Sequence, residues 1–135
     1  MKNDTRIRMP ATYNVDKEQR WVHVMVWGEV SLADILAVME KGLMDAEVDP
    51  SFAEIADFTE VTKLDLSGDD VRQIARKSVF SLTSRRAFVV PENSAIFGLV
   101  RMYEILREFQ GETGIRIFST LDEALNWVSP KGMTS

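Results

Sequence analysis

Three helix-start signals, each following a strand-like run, constrain the fold of this chain more than any other feature of its sequence. In each signal a serine or threonine is followed three residues later by an acidic residue: Ser31 with Asp34, Ser67 with Asp70, and Thr120 with Glu123. This is the spacing of a capping box, in which the two side chains satisfy free backbone N–H groups of the first helical turn. The runs 20–29, 52–58 and 115–118 are rich in β-branched or aromatic residues, which indicates that a strand precedes each helix.

The remaining segments complete an alternation of strands and helices. We expect strands at 12–15, 20–29, 52–58, 86–90 and 115–118, and helices that begin at Ser31 and Ser67, span about 93–109, and span 121–128. Residues 60–66 are expected to form a connection, and Val79 is expected to lie on the buried face of the second helix. The order β-β-α-β-α-β-α-β-α predicts an α/β fold with a mixed, mostly parallel five-stranded sheet and four helices, in which the first strand is antiparallel to the rest. We expect a single domain over residues 11–128, with flexible termini at 1–10 and 129–135.

Two segments carry more apolar surface than a simple core requires. The second strand is apolar on both faces, with Val22, Val24 and Val26 on one face and Trp21, His23, Met25 and Trp27 on the other. The third helix has apolar residues largely outside its main stripe, namely Phe97, Met102, Ile105 and Phe109, which leave Arg101, Glu104 and Glu108 as a narrow polar ridge. A surplus of this kind indicates a protein partner, a homodimer or a hydrophobic ligand, unless the last helix and the C-terminal tail cover it.

Composition excludes several kinds of site. The chain of 135 residues has no cysteine and one histidine, His23, which rules out a thiol nucleophile, a cysteine-ligated zinc site and an iron–sulfur cluster. The net charge of −5 disfavours general nucleic-acid binding, because contacts with phosphate require a basic surface. No catalytic motif is present and the sequence offers no acid to orient His23, so we expect a structural histidine, no enzymatic activity and no cofactor or metal. Because the sequence shows neither a signal-peptide core nor an apolar stretch of about 20 residues, we expect a cytoplasmic protein without a membrane span.

Two charged clusters have both a functional and a structural interpretation. Asp65, Asp69 and Asp70 surround Ser67 and could hold a divalent cation, but acidic residues in a first helical turn also complement the helix dipole, which is the favoured interpretation. Arg85 and Arg86, together with Arg72, Arg76 and Lys77, form the main basic concentration. Such a patch could bind an anion or an acidic partner, although a solvated helix face with pairs to Asp69 and Asp70 is favoured.

Three stretches of the sequence resemble the SpoIIAA-like superfamily. They are residues 56–68 (ADFTEVTKLDLSG), residues 86–91 (RAFVVP) with 97–104 (FGLVRMYE), and residues 117–118 (IF) with 121–128 (LDEALNWV). This superfamily joins the STAS domains of anti-sigma-factor antagonists with lipid-binding domains of the SEC14/CRAL-TRIO type, and the resemblance spans about residues 11–128. It implies that Ser67 corresponds to the serine that a partner kinase phosphorylates in the antagonists to block binding. The segment Asp65-Leu66-Ser67-Gly68 departs from the usual Asp-Ser-Ser-Gly form, and a phosphate would stand among several carboxylates, so we expect Ser67 to act chiefly as a helix cap.

The resemblance implies two alternative functions, both based on binding. The first is a regulatory protein–protein interaction module, expected to be homodimeric, that uses the third helix (with Phe97, Arg101, Met102 and Phe109) or the surface around Ser67 (with Asp65 and Asp57). The second is a carrier of a small hydrophobic or lipid ligand, with a pocket lined by Trp21, Met25 and Trp27 and by the Phe97, Met102 and Phe109 face of the third helix. A carrier should contain a closed apolar cavity on the order of several hundred Å³, whereas an interaction module should expose an apolar patch.

Overall fold

A computed structural model describes residues 10–92 and 94–129 of the chain. Residues 1–9 and 130–135, which make up most of the two predicted flexible termini, lie outside the described residues. Asn93, the predicted start of the third helix, lies outside them as well.

The predicted order of strands and helices is confirmed. The elements are β1 (Ala11–Asp16), β2 (Trp21–Ser31), α1 (Leu32–Met44), β3 (Ala53–Asp65), α2 (Gly68–Ile74), β4 (Arg86–Val89), α3 (Ala95–Phe109), β5 (Ile115–Phe118) and α4 (Leu121–Val128). The five strands form one mixed sheet in the order β1-β2-β3-β4-β5. Strand β1 pairs antiparallel with β2, and the other three pairings are parallel.

The two faces of the sheet are covered unequally, because the strands are ordered in space as they are in sequence. Right-handed crossovers between successive neighbouring strands place all the intervening helices on the same side. The front face is accordingly covered by α1, α2 and α3, which pack on a core that includes Val26, Ala56 and Phe88. The back face is covered by α4, which packs through Ala124 and Val128 on a smaller core.

Strand β3 is longer than expected, and the predicted connection at 60–66 is wrong. The parallel pairing of β2 with β3 continues from the pair Trp27–Glu60 to the pair Ser31–Asp65. Strand β4, in contrast, pairs with β3 only as far as Asp57. The register shifts twice along this pairing, between Met25 and Trp27 and again between Gly28, which has a φ of 69°, and Glu29. The two strands therefore end in a parallel ribbon whose polar side chains face solvent, which explains why its sequence is typical of a loop.

Helix α2 is shorter than expected. It ends at Ile74, so the prediction that Val79 belongs to its buried face is wrong, and Val79 instead lies in the loop that follows. The carbonyl oxygen of Ala75 accepts hydrogen bonds from Arg107 Nη1 at 2.9 Å and from Gln110 Nε2 at 2.7 Å. These donors from α3 and the residue after it satisfy a carbonyl that would otherwise bond within a longer helix.

The helix starts follow the predicted capping signals. Ser31 and Ser67 each form a complete capping box with the aspartate three residues later. Thr120 accepts a hydrogen bond from the backbone N–H of Glu123 without the reciprocal bond to its own backbone. Helix α3 is capped by Ser94 alone, since an apolar residue, Phe97, occupies the third helical position.

Candidate functional site

A buried cluster of charged side chains crosses the centre of the front face. Arg86 donates from Nε to Glu54 at 2.9 Å, from Nη1 to Glu112 at 3.0 Å and from Nη2 to the Tyr103 hydroxyl at 2.8 Å. Arg107 Nε donates to the other oxygen of Glu112 at 2.7 Å. Glu54 and Arg86 are direct register partners on β3 and β4, so the fold of the sheet itself brings them together.

The charges of this cluster balance one another. Burial alone would lower the pKa of the Arg86 guanidinium, but Glu54, Tyr103 and Glu112 together raise that pKa above its ordinary value. Burial also raises the pKa of the Tyr103 phenol, although the neighbouring Arg86 opposes the change. Two arginines face two glutamates, so the cluster has no net charge with which to attract an anion, and Arg86 does not contribute to an exposed basic patch.

An apolar cavity of about 110 Å³ lies on the front face beneath α1. Its apolar lining includes Val24, Met39, Phe58, Phe88, Leu99 and Val100. Its polar lining comes from the buried cluster, through Glu54, Arg86 and Tyr103. The cavity is smaller than a typical small-molecule site, which occupies roughly 300–1,000 Å³.

Helix α1 packs only loosely over this cavity. All thirteen of its residues are described and none of them is buried, although Ile35 and Met39 rest against the front core. Its C-terminal end is tied to β1, because the Tyr13 hydroxyl donates to Asp45 Oδ2 at 2.7 Å. Burial and this carboxylate raise the pKa of Tyr13 to about 12, and the same hydrogen bond lowers the pKa of Asp45.

The predicted regulatory residues do not form one site. Ser67 and Asp65 lie at the end of β3 and the start of α2, where Ser67 is occupied as a helix cap. Asp57 lies mid-strand, with its side chain on the back face, and it accepts hydrogen bonds from the backbone N–H and the hydroxyl of Thr59. Met102 lies beside the start of α2, which Ser67 caps, because its methyl carbon is 3.5 Å from the position that a Cβ would occupy on Gly68.

The residues predicted to line one ligand pocket lie on opposite sides of the sheet. Trp21 packs against the back core, and Met25 and Trp27 alternate with it on the same face of β2. Met102 packs against the front core, and Phe97 and Phe109 belong to the same helix, α3. The expectation of a shared pocket between these two groups is therefore wrong, because the position of a residue on a strand does not reveal which helix crosses above it.

His23 lies on the back face of the sheet, on β2. Its partners in the sheet register are Asn14 and Ile55, so neither supplies an acid. Its Nε2 atom is buried and has no hydrogen-bond partner among the described residues.

The outer face of α3 carries several exposed apolar side chains. This outer face consists of Phe97, Gly98, Arg101, Ile105, Glu108 and Phe109, which are all exposed. Phe109 is 85% exposed, and Phe97 and Ile105 are each 38% exposed. Arg101 donates to Glu104 at 2.7 Å, which raises the pKa of the guanidinium. Neither α4 nor the adjoining helix α2 covers Phe97, Ile105 and Phe109, whereas Met102 packs against the front core. Three of the four residues of the predicted apolar surplus are therefore exposed, and most of the C-terminal tail, the alternative cover, lies outside the described residues.

Sequence reasoning missed the buried cluster, although a signal for it was present. Arg86 is a charged residue in the otherwise apolar strand β4, and Glu54 is one in the apolar first part of β3; a charge in such a position requires a partner. The partner itself depends on the strand register, and Glu112 and Arg107 join the cluster from a turn and from α3. These pairings connect residues 32 and 26 positions apart, beyond the reach of a local pattern.

A comparison of structures decides the type of fold. The chain is similar to an uncharacterised protein of the DUF3478 family from Shewanella loihica PV-4, which has a SpoIIAA-like fold. The TM-score is 0.54 and the sequence identity 15%, over 87% of this chain and 93% of that one. The fold is SpoIIAA-like.

The SpoIIAA-like fold agrees with the resemblance that the sequence carries, and at this identity the likeness concerns the fold alone. No family model matches the chain, and no curated protein matches it either. Within the described part of this SpoIIAA-like chain, no helix is long and apolar enough to cross a membrane.

Proposed function

We propose that this chain is a non-catalytic protein-interaction module whose contact surface is the outer face of α3. One observation carries the proposal: Phe97, Ile105 and Phe109 are exposed together on one side of a single helix. A single exposed apolar residue is ordinary, but three exposed apolar residues on the same helix face are more than that, and an excess of exposed apolar surface marks interaction sites. The mixture of apolar side chains with Arg101 and Glu108 is typical of a contact that forms and dissociates.

The buried cluster supports a role in binding rather than in catalysis. Its carboxylates are engaged by arginines, so a proton acceptor there would first have to lose an ion pair. A general base also has to reach its substrate directly or through one water, and Glu112 has a fully buried side chain. The cluster is better suited to fixing β3, β4 and α3 relative to one another, which keeps the outer face of α3 in place.

The experiment that tests this proposal replaces the exposed aromatic residues. In the variant Phe97→Ser with Phe109→Ser, we expect loss of every association that the wild-type chain makes, measured by size-exclusion chromatography with light scattering and by affinity capture. The matched control is Leu43→Ser with Met44→Ser, which removes two exposed apolar side chains from α1 instead. If both double variants associate as the wild type does, the outer face of α3 is not the contact surface.

A second candidate function is the binding of a small apolar molecule in the cavity beneath α1. The cavity of about 110 Å³ is comparable to an engineered apolar cavity of about 150 Å³ that binds benzene. A bulky lipid exceeds this volume, so the carrier hypothesis is narrowed to ligands of about the size of one aromatic ring.

Toluene and benzoate distinguish this second function from incidental binding. We expect toluene to shift the methyl NMR signals of Val24, Leu99 and Val100, which line the cavity. Benzoate should not do so, because its charge would be buried beside a cluster that is already neutral. A Val100→Phe variant that fills the cavity and retains the wild-type unfolding temperature should abolish the toluene shifts, and their persistence would contradict the assignment.

A further inference from the structure

We infer that the partner of the outer face of α3 is a second copy of this chain, docked antiparallel across a two-fold axis. This inference rests on the proposed function, that the outer face is a contact surface. It adds the identity of the partner and the arrangement of the two helices. The outer face is complementary to itself in shape and in charge.

The shape complementarity comes from Gly98 and Phe109 at opposite ends of one stripe. Eleven residues are close to three helical turns, so the two positions lie on the same side of α3, about 17 Å apart along its axis. A Cβ on Gly98 would meet no atom of the described chain within 4 Å. Glycine inside a helix lowers its stability relative to alanine, yet nothing in the described chain occupies the space that this glycine leaves.

An antiparallel pair of α3 helices fills that space. When Phe109 of one copy lies over Gly98 of the other, the two-fold axis passes near the middle of the helix and repeats the contact at the opposite end. Ile105 of each copy then lies opposite Met102 of the other. Each end of the interface thus places the most exposed aromatic ring of the helix over the position that has no side chain.

The charges of the outer face are complementary under the same two-fold axis. Arg101 lies toward the N-terminal end of the stripe, whereas Glu108 lies near its C-terminal end. Antiparallel docking brings Arg101 of one copy within about one helical turn of Glu108 of the other copy. Within a single chain Arg101 bonds Glu104 directly and Glu108 acts on it only through its charge, from two turns away, so a direct contact between Arg101 and Glu108 across the pair is new.

The area of the outer face of α3 determines the affinity that we expect for the dimer. A stable interface buries roughly 800 Å² on each partner, more than one face of a helix about 17 Å long provides. Leu82 is exposed beside the turn after α3, 3.9 Å from the Cβ position of Gly111, and it extends the apolar surface past the end of the helix. We therefore expect a dimer with a dissociation constant on the order of micromolar.

Analytical ultracentrifugation over a concentration series tests the inference. We expect wild-type chain to change from monomer to dimer, and Gly98→Leu or Phe109→Ser to weaken the dimer roughly tenfold or more. Met44→Ser, which changes an exposed methionine on α1, should leave the dissociation constant unchanged. Each substituted side chain is exposed, and unchanged circular dichroism and unfolding temperature confirm that the variants fold.

A charge exchange tests the antiparallel arrangement. Arg101→Glu and Glu108→Arg should each weaken the dimer, and the double variant should regain most of the lost affinity. Recovery is expected because the two residues meet between copies, whereas within one chain they are two turns apart. Failure of the double variant to recover affinity would overturn the arrangement.

The outcomes separate this inference from the proposed function. A wild-type chain that stays monomeric at its highest attainable concentration overturns the inference. The proposed function then stands only if capture of another protein is lost in the Phe97→Ser and Phe109→Ser double variant. A dimer that forms equally well with Gly98→Leu overturns the inference, because Gly98 then lies outside its interface, and the proposed function still depends on the Phe97→Ser and Phe109→Ser double variant.

Discussion

At the scale of single residues, the balance between Arg86 and its carboxylate partners has the largest consequence for stability. Glu112 accepts hydrogen bonds from both Arg86 and Arg107, and its side chain is fully buried. A buried ion pair contributes little compared with an apolar pair of the same shape, but removal of one partner leaves a buried charge uncompensated. Glu112 is therefore the residue on which the two arginines jointly depend.

We predict that Glu112→Gln lowers the free energy of unfolding by about 3–5 kcal/mol, because Arg86 and Arg107 lose their shared negative charge. Urea denaturation monitored by circular dichroism measures the change. Glu40→Gln is the matched control, since Glu40 is an exposed residue of α1 and its replacement should change stability by no more than about 0.5 kcal/mol. Equal effects of the two substitutions would show that the buried cluster is not the source of stability assigned to it.

At the scale of elements, α1 depends on contacts at its ends because its middle is not buried. Its N-terminus is fixed by the Ser31 capping box, and its C-terminal end is held by the Tyr13 hydroxyl donating to Asp45. The folded-state pKa of Asp45 is lowered, so its contribution to stability is present above pH 3.8 and is lost as the pH falls through the folded pKa. The pKa of Tyr13 is raised from 10.0 to about 12, so its contribution is present below pH 10.0 and is lost as the pH rises through about 12.

We predict that Tyr13→Phe raises the pKa of the Asp45 carboxyl toward its ordinary value of 3.8, because the hydroxyl that favours the carboxylate is removed. An NMR titration of the side-chain carboxyl carbons measures this pKa directly. Asp49 is an internal control, since its pKa is lowered chiefly by hydrogen bonds from Ser51 and should not change. An Asp45 titration identical in both proteins would rule out this tie between β1 and α1.

At the scale of the whole molecule, local patterns predicted the succession of elements but not the contacts between distant ones. The capping signals at Ser31 and Ser67 are local, and they placed two helix starts correctly. The end of α2 could not be predicted, because it is set by Arg107 and Gln110 reaching the Ala75 carbonyl from more than 30 positions away. The same limit applies to β3, whose polar second half is a strand only because β2 extends beside it.

Some of the residues of the candidate site could be predicted from the sequence, but their positions relative to one another could not. The apolar surplus on the third helix follows from its sequence, and Phe97 and Phe109 are indeed exposed. Trp21 and Met25 were also identified as surplus, but the side of the sheet that each helix covers depends on strand order and crossover handedness. The sequence does not indicate that Gly98 belongs to a contact surface. Gly98 was identified only because a Cβ at this position would have no neighbour within 4 Å among the described residues.

The strands lie in the sheet in the same order as they occur in the sequence. This order has a consequence for the synthesis of the protein. As the nascent chain leaves the ribosome, each of β2, β3, β4 and β5 emerges when its pairing partner has already been made. The sheet can therefore grow at one edge without waiting for a distant segment. The back core is the exception, because Ile55, Ala87 and Val89 stay uncovered until α4 emerges. A nascent chain that has completed its sheet therefore still presents an apolar surface, which is covered only when α4 docks.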